Sequence, residues 1–153
     1  MRKLKMERTQ NNFPKWLVPG MLLVGFLGFL DSLYLTIQHY SGGEITCNII
    51  HGCDVVTNSV YSMIGPVPVA LLGVLYYLAI VFAVILYWDT KREKIMQLAA
   101  WATTAGFIMS VYFLIIQAFV LHAFCQYCLG SAVTSTLLFI MGMNAVCRKK
   151  KMV

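Results

Sequence analysis

Four apolar runs dominate this chain, and each is about as long as a membrane is thick. They cover about residues 16–37, 67–87, 98–120 and 129–147, and a helix needs roughly 20 apolar residues to cross a bilayer. Inside lipid every backbone amide needs a partner within its own segment, which an open sheet cannot supply. The expected fold is therefore an all-α integral membrane protein, a bundle of four transmembrane helices forming a single membrane domain over residues 1–153. Composition agrees. Charged residues make up 12% of the chain, against about 25% in a soluble domain. Too little charge is present to cover a soluble globule, and disorder is excluded on the same ground. The first run follows basic residues as a signal peptide would. It is longer than an h-region and no small-x-small cleavage site follows, so it reads as a retained helix.

The net charge of +6 comes from twelve Lys and Arg against six Asp and Glu. In a polar protein that balance would suggest nucleic acid. Here the cations sit in three clusters between apolar runs, a membrane pattern, and no nucleic-acid partner is expected. Arg2, Lys3, Lys5, Arg8 and Lys15 precede the first run; Lys91, Arg92 and Lys94 separate the second from the third; Arg148, Lys149, Lys150 and Lys151 follow the fourth. Residues 38–66 and 121–127 carry no Lys or Arg. The positive-inside rule then puts both termini and the middle loop in the cytoplasm and the other two loops outside. The expected location is the cell membrane, or in a eukaryote the ER membrane with a lumenal site. The Lys150-Lys151-Met152-Val153 ending fits an ER retrieval signal, a match any basic tail gives easily.

The first outer loop is the longest connection. It opens with Ser41-Gly42-Gly43 and continues into an apolar stretch in which Val55, Val56, Ser59, Val60 and Met63 recur at helical spacing. This predicts a short interfacial helix starting near Asp54 as N-cap and stopped by Pro66 and Pro68.

Topology sorts the five cysteines. Cys47 and Cys53 lie in the first outer loop, Cys125 and Cys128 at the outer mouth of the fourth span, and Cys147 at its cytoplasmic end, where it reads as a small apolar residue. An even set on the oxidising side is expected to form disulfides. Cys125-Gln126-Tyr127-Cys128 is a C-x-x-C at a helix start. Residues three apart share a helix face, and the positive helix N-terminus favours thiolate, the nucleophile of disulfide exchange. Bordered by Phe124 and Tyr127, this dithiol is placed to meet a lipid-soluble ring. The Cys47 and Cys53 pair, on a Gly-flanked loop, can collect electrons outside and deliver them inward. Two alternatives are a metal site drawn from Cys47, His51, Cys53, Cys125 and Cys128, and purely structural disulfides.

Asp31 is the one acidic residue inside a span, where a carboxylate is costly and a functional candidate. Ser32, Thr36 or a hydroxyl of the fourth span would satisfy it, or it handles protons. His39, His51 and His122 read as loop residues, and Tyr34, Tyr76, Tyr77 and Tyr112 as packing or interface-belt residues.

The order Cys47, Cys53-Asp54-Val55-Val56, Ser59, Tyr61, Pro68, Gly73, then Cys125-x-x-Cys128, with Ser32-Leu33-Tyr34-Leu35-Thr36 closing the first span, resembles the vitamin K epoxide reductase family. The resemblance runs over about residues 28–144. It implies a four-helix bundle around a quinone of the menaquinone, phylloquinone or ubiquinone type, with the loop helix as a lid. It implies that Cys125 and Cys128 are the active-site pair with Cys128 facing the quinone, that Cys47 and Cys53 are the shuttle pair, and that Ser59 lies near the ring. The lid residues Val55 and Val56, together with Phe124, are the expected apolar contacts. Vertebrate members carry an Asn and a Tyr that hydrogen-bond the vitamin K ring where this chain has Val69 and Ala132, so the resemblance by itself implies neither epoxide activity nor coumarin sensitivity. With no thioredoxin-like domain expected in the chain, the thiol partner is a separate thioredoxin-fold (DsbA-like) protein, alongside the quinone and membrane lipid.

The leading expectation is thus a thiol:quinone oxidoreductase supporting disulfide formation. One alternative is a vitamin K quinone or epoxide reductase whose product is reduced vitamin K; another is a non-catalytic metal-binding membrane protein. The DsbB type also has four spans and two outer cysteine pairs, but its C-x-x-C belongs to the first outer loop, whereas here it is in the second.

Overall fold

The computed structural model describes residues 16–42 and 52–150. The basic residues before position 16, Cys47, His51 and Lys151 lie outside the described residues. Four long helices are present: α1 (Leu17–Ser41), α3 (Val69–Thr90), α4 (Glu93–Ile115) and α5 (Gln126–Lys150). All four are long and apolar enough to cross a membrane, α4 together with the π-helical turn Ile116–Val120 that extends it. The expected all-α four-helix bundle is what forms. The helices outrun the expected spans, α5 most usefully: it begins at Gln126, not 129, which puts Cys128 inside its first turn.

The helices form a ring. α1 packs against α3 and α5, and α4 against α3 and α5, so α3 and α5 face each other across the bundle. Small residues let the backbones approach, as is usual in lipid. A Cβ on Gly142 of α5 would come 3.3 Å from Ala100 Cα of α4, and one on Gly73 of α3 would come 2.8 Å from Ser32 Oγ of α1. Large apolar side chains such as Leu23, Phe26, Phe82, Leu98, Trp101 and Phe119 point outward, the arrangement a lipid environment favours.

The two ends differ. The end carrying Lys91, Arg92 and the close of α5 is filled by Leu17, Met21, Ile80, Val84, Tyr87, Met96, Leu138 and Ala145. The opposite end, where α1 stops and α5 starts, is hollow and holds Cys53, Cys125 and Cys128.

The short loop helix expected near Asp54 is present but stops earlier than expected. Helix α2 spans only Cys53–Thr57, with Gly52 as N-cap. Ser59 is extended, Val60–Ser62 form one 3₁₀ turn, and β1 (Met63–Ile64) pairs antiparallel with β2 (Val67–Pro68). Gly65, at φ 62°, closes that hairpin with Pro66, a backbone region open to glycine. Short polar side chains take up backbone carbonyls along this segment. Thr57 Oγ1 donates to the Cys53 carbonyl at 2.8 Å, Ser59 Oγ to that of Val56 at 2.7 Å, and Ser62 Oγ to that of Ser59 at 2.7 Å.

Candidate functional site

The C-x-x-C straddles a boundary. Cys125 immediately precedes α5 and its carbonyl accepts the Leu129 amide at 3.0 Å, as an N-cap residue does. It is completely buried, 0% exposed, in one apolar cluster with Cys53 (1%), Leu35 and Val56. Cys128, one turn on, lines the hollow end of the bundle, and Cys125 does not. One cysteine thus packs with Cys53 of the loop and the other faces the cavity. Cys53 is disulfide-bonded, while Cys125 and Cys128 are thiols. The excluded cysteine, Cys147, is an exposed thiol near the end of α5.

The loop is pressed onto this site by a glycine. Gly52 has φ 137°, which side-chain-bearing residues rarely adopt. A Cβ there would sit 3.1 Å from Ala123 Cβ and 3.3 Å from the Phe124 carbonyl. The bare Cα lets α2 dock against the strand of chain leading into Cys125.

Gln117 fixes Cys125 from the other side. It lies on the π turn Ile116–Val120, a register slip of a kind frequent at functional sites. Its buried side-chain carbonyl accepts the Cys125 amide at 3.0 Å, and its backbone carbonyl accepts the Ala123 amide at 3.2 Å. Sequence reasoning passed over Gln117; the available signal was one amide in the apolar stretch Phe113–Val120.

The Cys125 thiol is lowered from its ordinary 9.0 to about 7. The Cys128 thiol hydrogen-bonds to it, and the backbone amides of Cys128 and Tyr127 at the helix N-terminus add to that, against the opposing cost of burial. The thiolate expected from helix position therefore falls on Cys125.

The cavity has a volume of about 400 Å³ and a mostly apolar wall, within the roughly 300–1,000 Å³ of small-molecule sites. A quinone ring with part of its tail fits that space and chemistry. Val69 and Ala132 are both on the wall. Of the four expected cofactor contacts, Val56 and Ser59 line it. Val55 and Phe124 do not; they are exposed, at 54% and 41%. Val55 points away because the five-residue helix turns only one of its adjacent valines inward. The Ser59 hydroxyl spends its proton on the Val56 carbonyl, so the donation toward a ring expected of it is not made in this geometry.

Tyr76 and Tyr77 pack into the core as expected, and they do more than pack. Both line the cavity. The Tyr77 hydroxyl crosses the bundle to α5, meeting the Ser131 carbonyl at 2.9 Å, Ser131 Oγ at 3.0 Å and Thr134 Oγ1 at 2.8 Å. Gly28 of α1 leaves the space its ring fills. Asp31 is not on the cavity wall. Thr36, one of its expected partners, donates instead to the Ser32 carbonyl at 2.8 Å. Asp31 Oδ2 is buried with no hydrogen-bond partner among the described residues. Among those residues there is also no group of three or more His, Cys, Asp or Glu able to hold a metal ion.

This arrangement, a buried helix-start dithiol with one sulfur on an apolar cavity inside a four-helix bundle, meets a direct comparison. The model of the vitamin K epoxide reductase family matches residues 19–143. The chain belongs to that family. The resemblance drawn from the cysteine order is thereby shown, and membership implies a membrane oxidoreductase acting between thiols and quinones. Among curated proteins no match was found.

Proposed function

We propose that this member of the vitamin K epoxide reductase family is a thiol:quinone oxidoreductase that takes electrons from a separate thioredoxin-fold protein and passes them to a membrane quinone, supporting disulfide formation. The observation that carries the reading is the division of labour in the C-x-x-C: Cys125 buried against Cys53, Cys128 on the cavity wall.

The partner's thiolate attacks the Cys47–Cys53 disulfide, and the partner leaves as a disulfide with the loop pair as a dithiol. The Cys53 thiolate then attacks Cys125 of an oxidised C-x-x-C. Cys47 resolves the Cys53–Cys125 bond, restoring the loop disulfide and leaving Cys125 and Cys128 reduced. When their disulfide re-forms, two electrons and two protons pass to the quinone, which leaves as quinol. The protein supplies position and thiolate. Gln117 and the α5 N-terminus hold Cys125 where it meets the loop, and the apolar wall excludes water from the reacting end. The basic end of the bundle faces the cytoplasm and the cysteine end faces outward, following the charge clusters.

The test is steady-state quinone reduction by purified protein with a reduced thioredoxin-fold donor. Wild type turns over and Cys128→Ala does not. In a Cys47→Ser, Cys128→Ser double variant the remaining pair is trapped as a Cys53–Cys125 disulfide, identified by peptide mass. Turnover in Cys128→Ala, or a Cys53 that pairs with neither active-site position, overturns the reading.

A further inference from the structure

We propose that the hydroxyls of Tyr76 and Ser135 form a two-donor pocket for one carbonyl oxygen of the quinone, at the far end of the cavity from Cys128. This rests on the reading of the cavity as a quinone site and names the groups that orient the ring there.

Both residues line the cavity. Tyr76 Oη and Ser135 Oγ are buried, and neither has a hydrogen-bond partner among the described residues. Several other hydroxyls of the wall are committed: Ser59 and Thr57 to loop carbonyls, Ser131 to Tyr77. Leaving a buried hydroxyl unpaired is costly, so two such groups on one cavity call for an occupant with an acceptor.

The sequence of α5 shows why Ser135 is unpaired. A helical serine ordinarily bonds the carbonyl three or four residues back, as Thr104, Thr134 and Thr136 do here. For Ser135 those acceptors are Ser131 and Ala132. The Ser131 carbonyl already takes the Tyr77 hydroxyl at 2.9 Å and Thr134 Oγ1 at 3.0 Å, and the Ala132 carbonyl takes Thr136 Oγ1 at 2.7 Å. Ser135 bonds neither carbonyl and keeps its proton for the cavity. Tyr76 is freed differently. Its hydroxyl reaches across to α4 and rests where any side chain at Gly106 would collide with it. No hydrogen bond joins the two hydroxyls.

Placement suits a ring. Cys128, Ala132 and Ser135 follow one face of α5, and seven residues rise about 10 Å. That is close to a sulfur–ring contact, a quinone ring and a hydrogen bond laid end to end, with Ala132 as a flat floor. Chemistry suits both redox states as well. A hydroxyl donates to a quinone carbonyl and accepts from a quinol O–H, so the same pair serves substrate and product.

The experiment uses the purified full chain, menaquinone-4, and a small dithiol as donor. Tyr76→Phe and Ser135→Ala remove one hydroxyl each. Each is expected to raise the KM for menaquinone-4 about tenfold, with a smaller change in kcat, and the double variant to fall short of a hundredfold because both donors serve one oxygen. With carbonyl-¹³C-labelled menaquinone-4, the infrared stretch of one carbonyl is shifted down in wild type and returns toward its free value in both variants. Wild-type KM and an unchanged carbonyl band in both variants would show that the hydroxyls bond only water, and would overturn the proposal while leaving quinone reduction intact. No reduction of menaquinone-4 or of a ubiquinone by wild type would instead overturn the reading of the function itself.

Discussion

Replacing Gln117 by leucine should uncouple the two cysteine pairs without dismantling the bundle. The Gln117 side-chain carbonyl accepts the Cys125 amide at 3.0 Å, and both residues are buried, at 2% and 0% exposure. Leucine is similar in size but accepts nothing, and at that depth the Cys125 amide has no water to turn to. A buried polar group left unpaired costs about 1–3 kcal/mol. If all of it falls on the geometry that presents Cys125 to Cys53, exchange slows by roughly fivefold to a hundredfold, at about 1.4 kcal/mol per factor of ten. The assay compares two donors. Reduction by a thioredoxin-fold protein, which needs the Cys53 to Cys125 step, should fall by that factor. Reduction by a small dithiol able to reach Cys128 through the cavity should fall much less. Gln117→Glu sharpens the test, since burial at that depth keeps the new carboxyl neutral while its carbonyl oxygen still accepts the Cys125 amide. That variant should keep exchange with the protein donor much nearer the wild-type rate than Gln117→Leu does. Equal loss with both donors in Gln117→Leu, or wild-type kinetics with both, would refute this role for Gln117.

Three more outcomes follow from the same geometry. In the fully reduced protein, alkylation of Cys125 by iodoacetamide should rise with pH through about 7 rather than through its ordinary 9.0, and Cys128→Ala, which removes the largest cause of the lowering, should move that midpoint up; because the fold favours the thiolate, its contribution to the reduced protein's stability is full above about 9 and lost below about 7. Tyr77→Phe, which deletes a hydroxyl bonded to Ser131 and Thr134 across the bundle, should cost about 1–2 kcal/mol in detergent unfolding, and an unchanged unfolding midpoint would count against that tie. Gly52→Ala puts a side chain at φ 137° against Ala123 and the Phe124 carbonyl, a strain of about 1–3 kcal/mol; it should slow reduction by a protein donor while sparing a small dithiol, measured as the ratio of the two rates.

What could be read from the chain was whatever depends on length and spacing. Four apolar runs specify four helices because lipid permits little else, and a C-x-x-C at the start of the last one puts a thiolate at a helix N-terminus. The loop was harder. Val55, Val56, Ser59, Val60 and Met63 share a helical period, but the helix stops at Thr57 and Ser59 is extended, which periodicity cannot register. Gln117 and Tyr77 were hidden for another reason. In an apolar run a single polar group looks like tolerated packing, and only the π turn and the empty space at Gly28 show what each one reaches. The unpaired Ser135 was further from view, since it results from hydroxyls on three neighbouring residues competing for two carbonyls.

The claim that matters most is that Cys128, through its bond to Cys125, hands electrons to a quinone. A single anaerobic turnover tests it without any partner. Fully reduced protein carrying Cys47→Ala and Cys53→Ala is mixed with excess menaquinone-4, and quinol and thiols are counted. The account predicts one quinol per protein and one new Cys125–Cys128 disulfide, and no quinol when Cys128→Ala is added. Quinol formed in the Cys128→Ala protein, or none formed while Cys125 and Cys128 stay reduced in its parent, would contradict it.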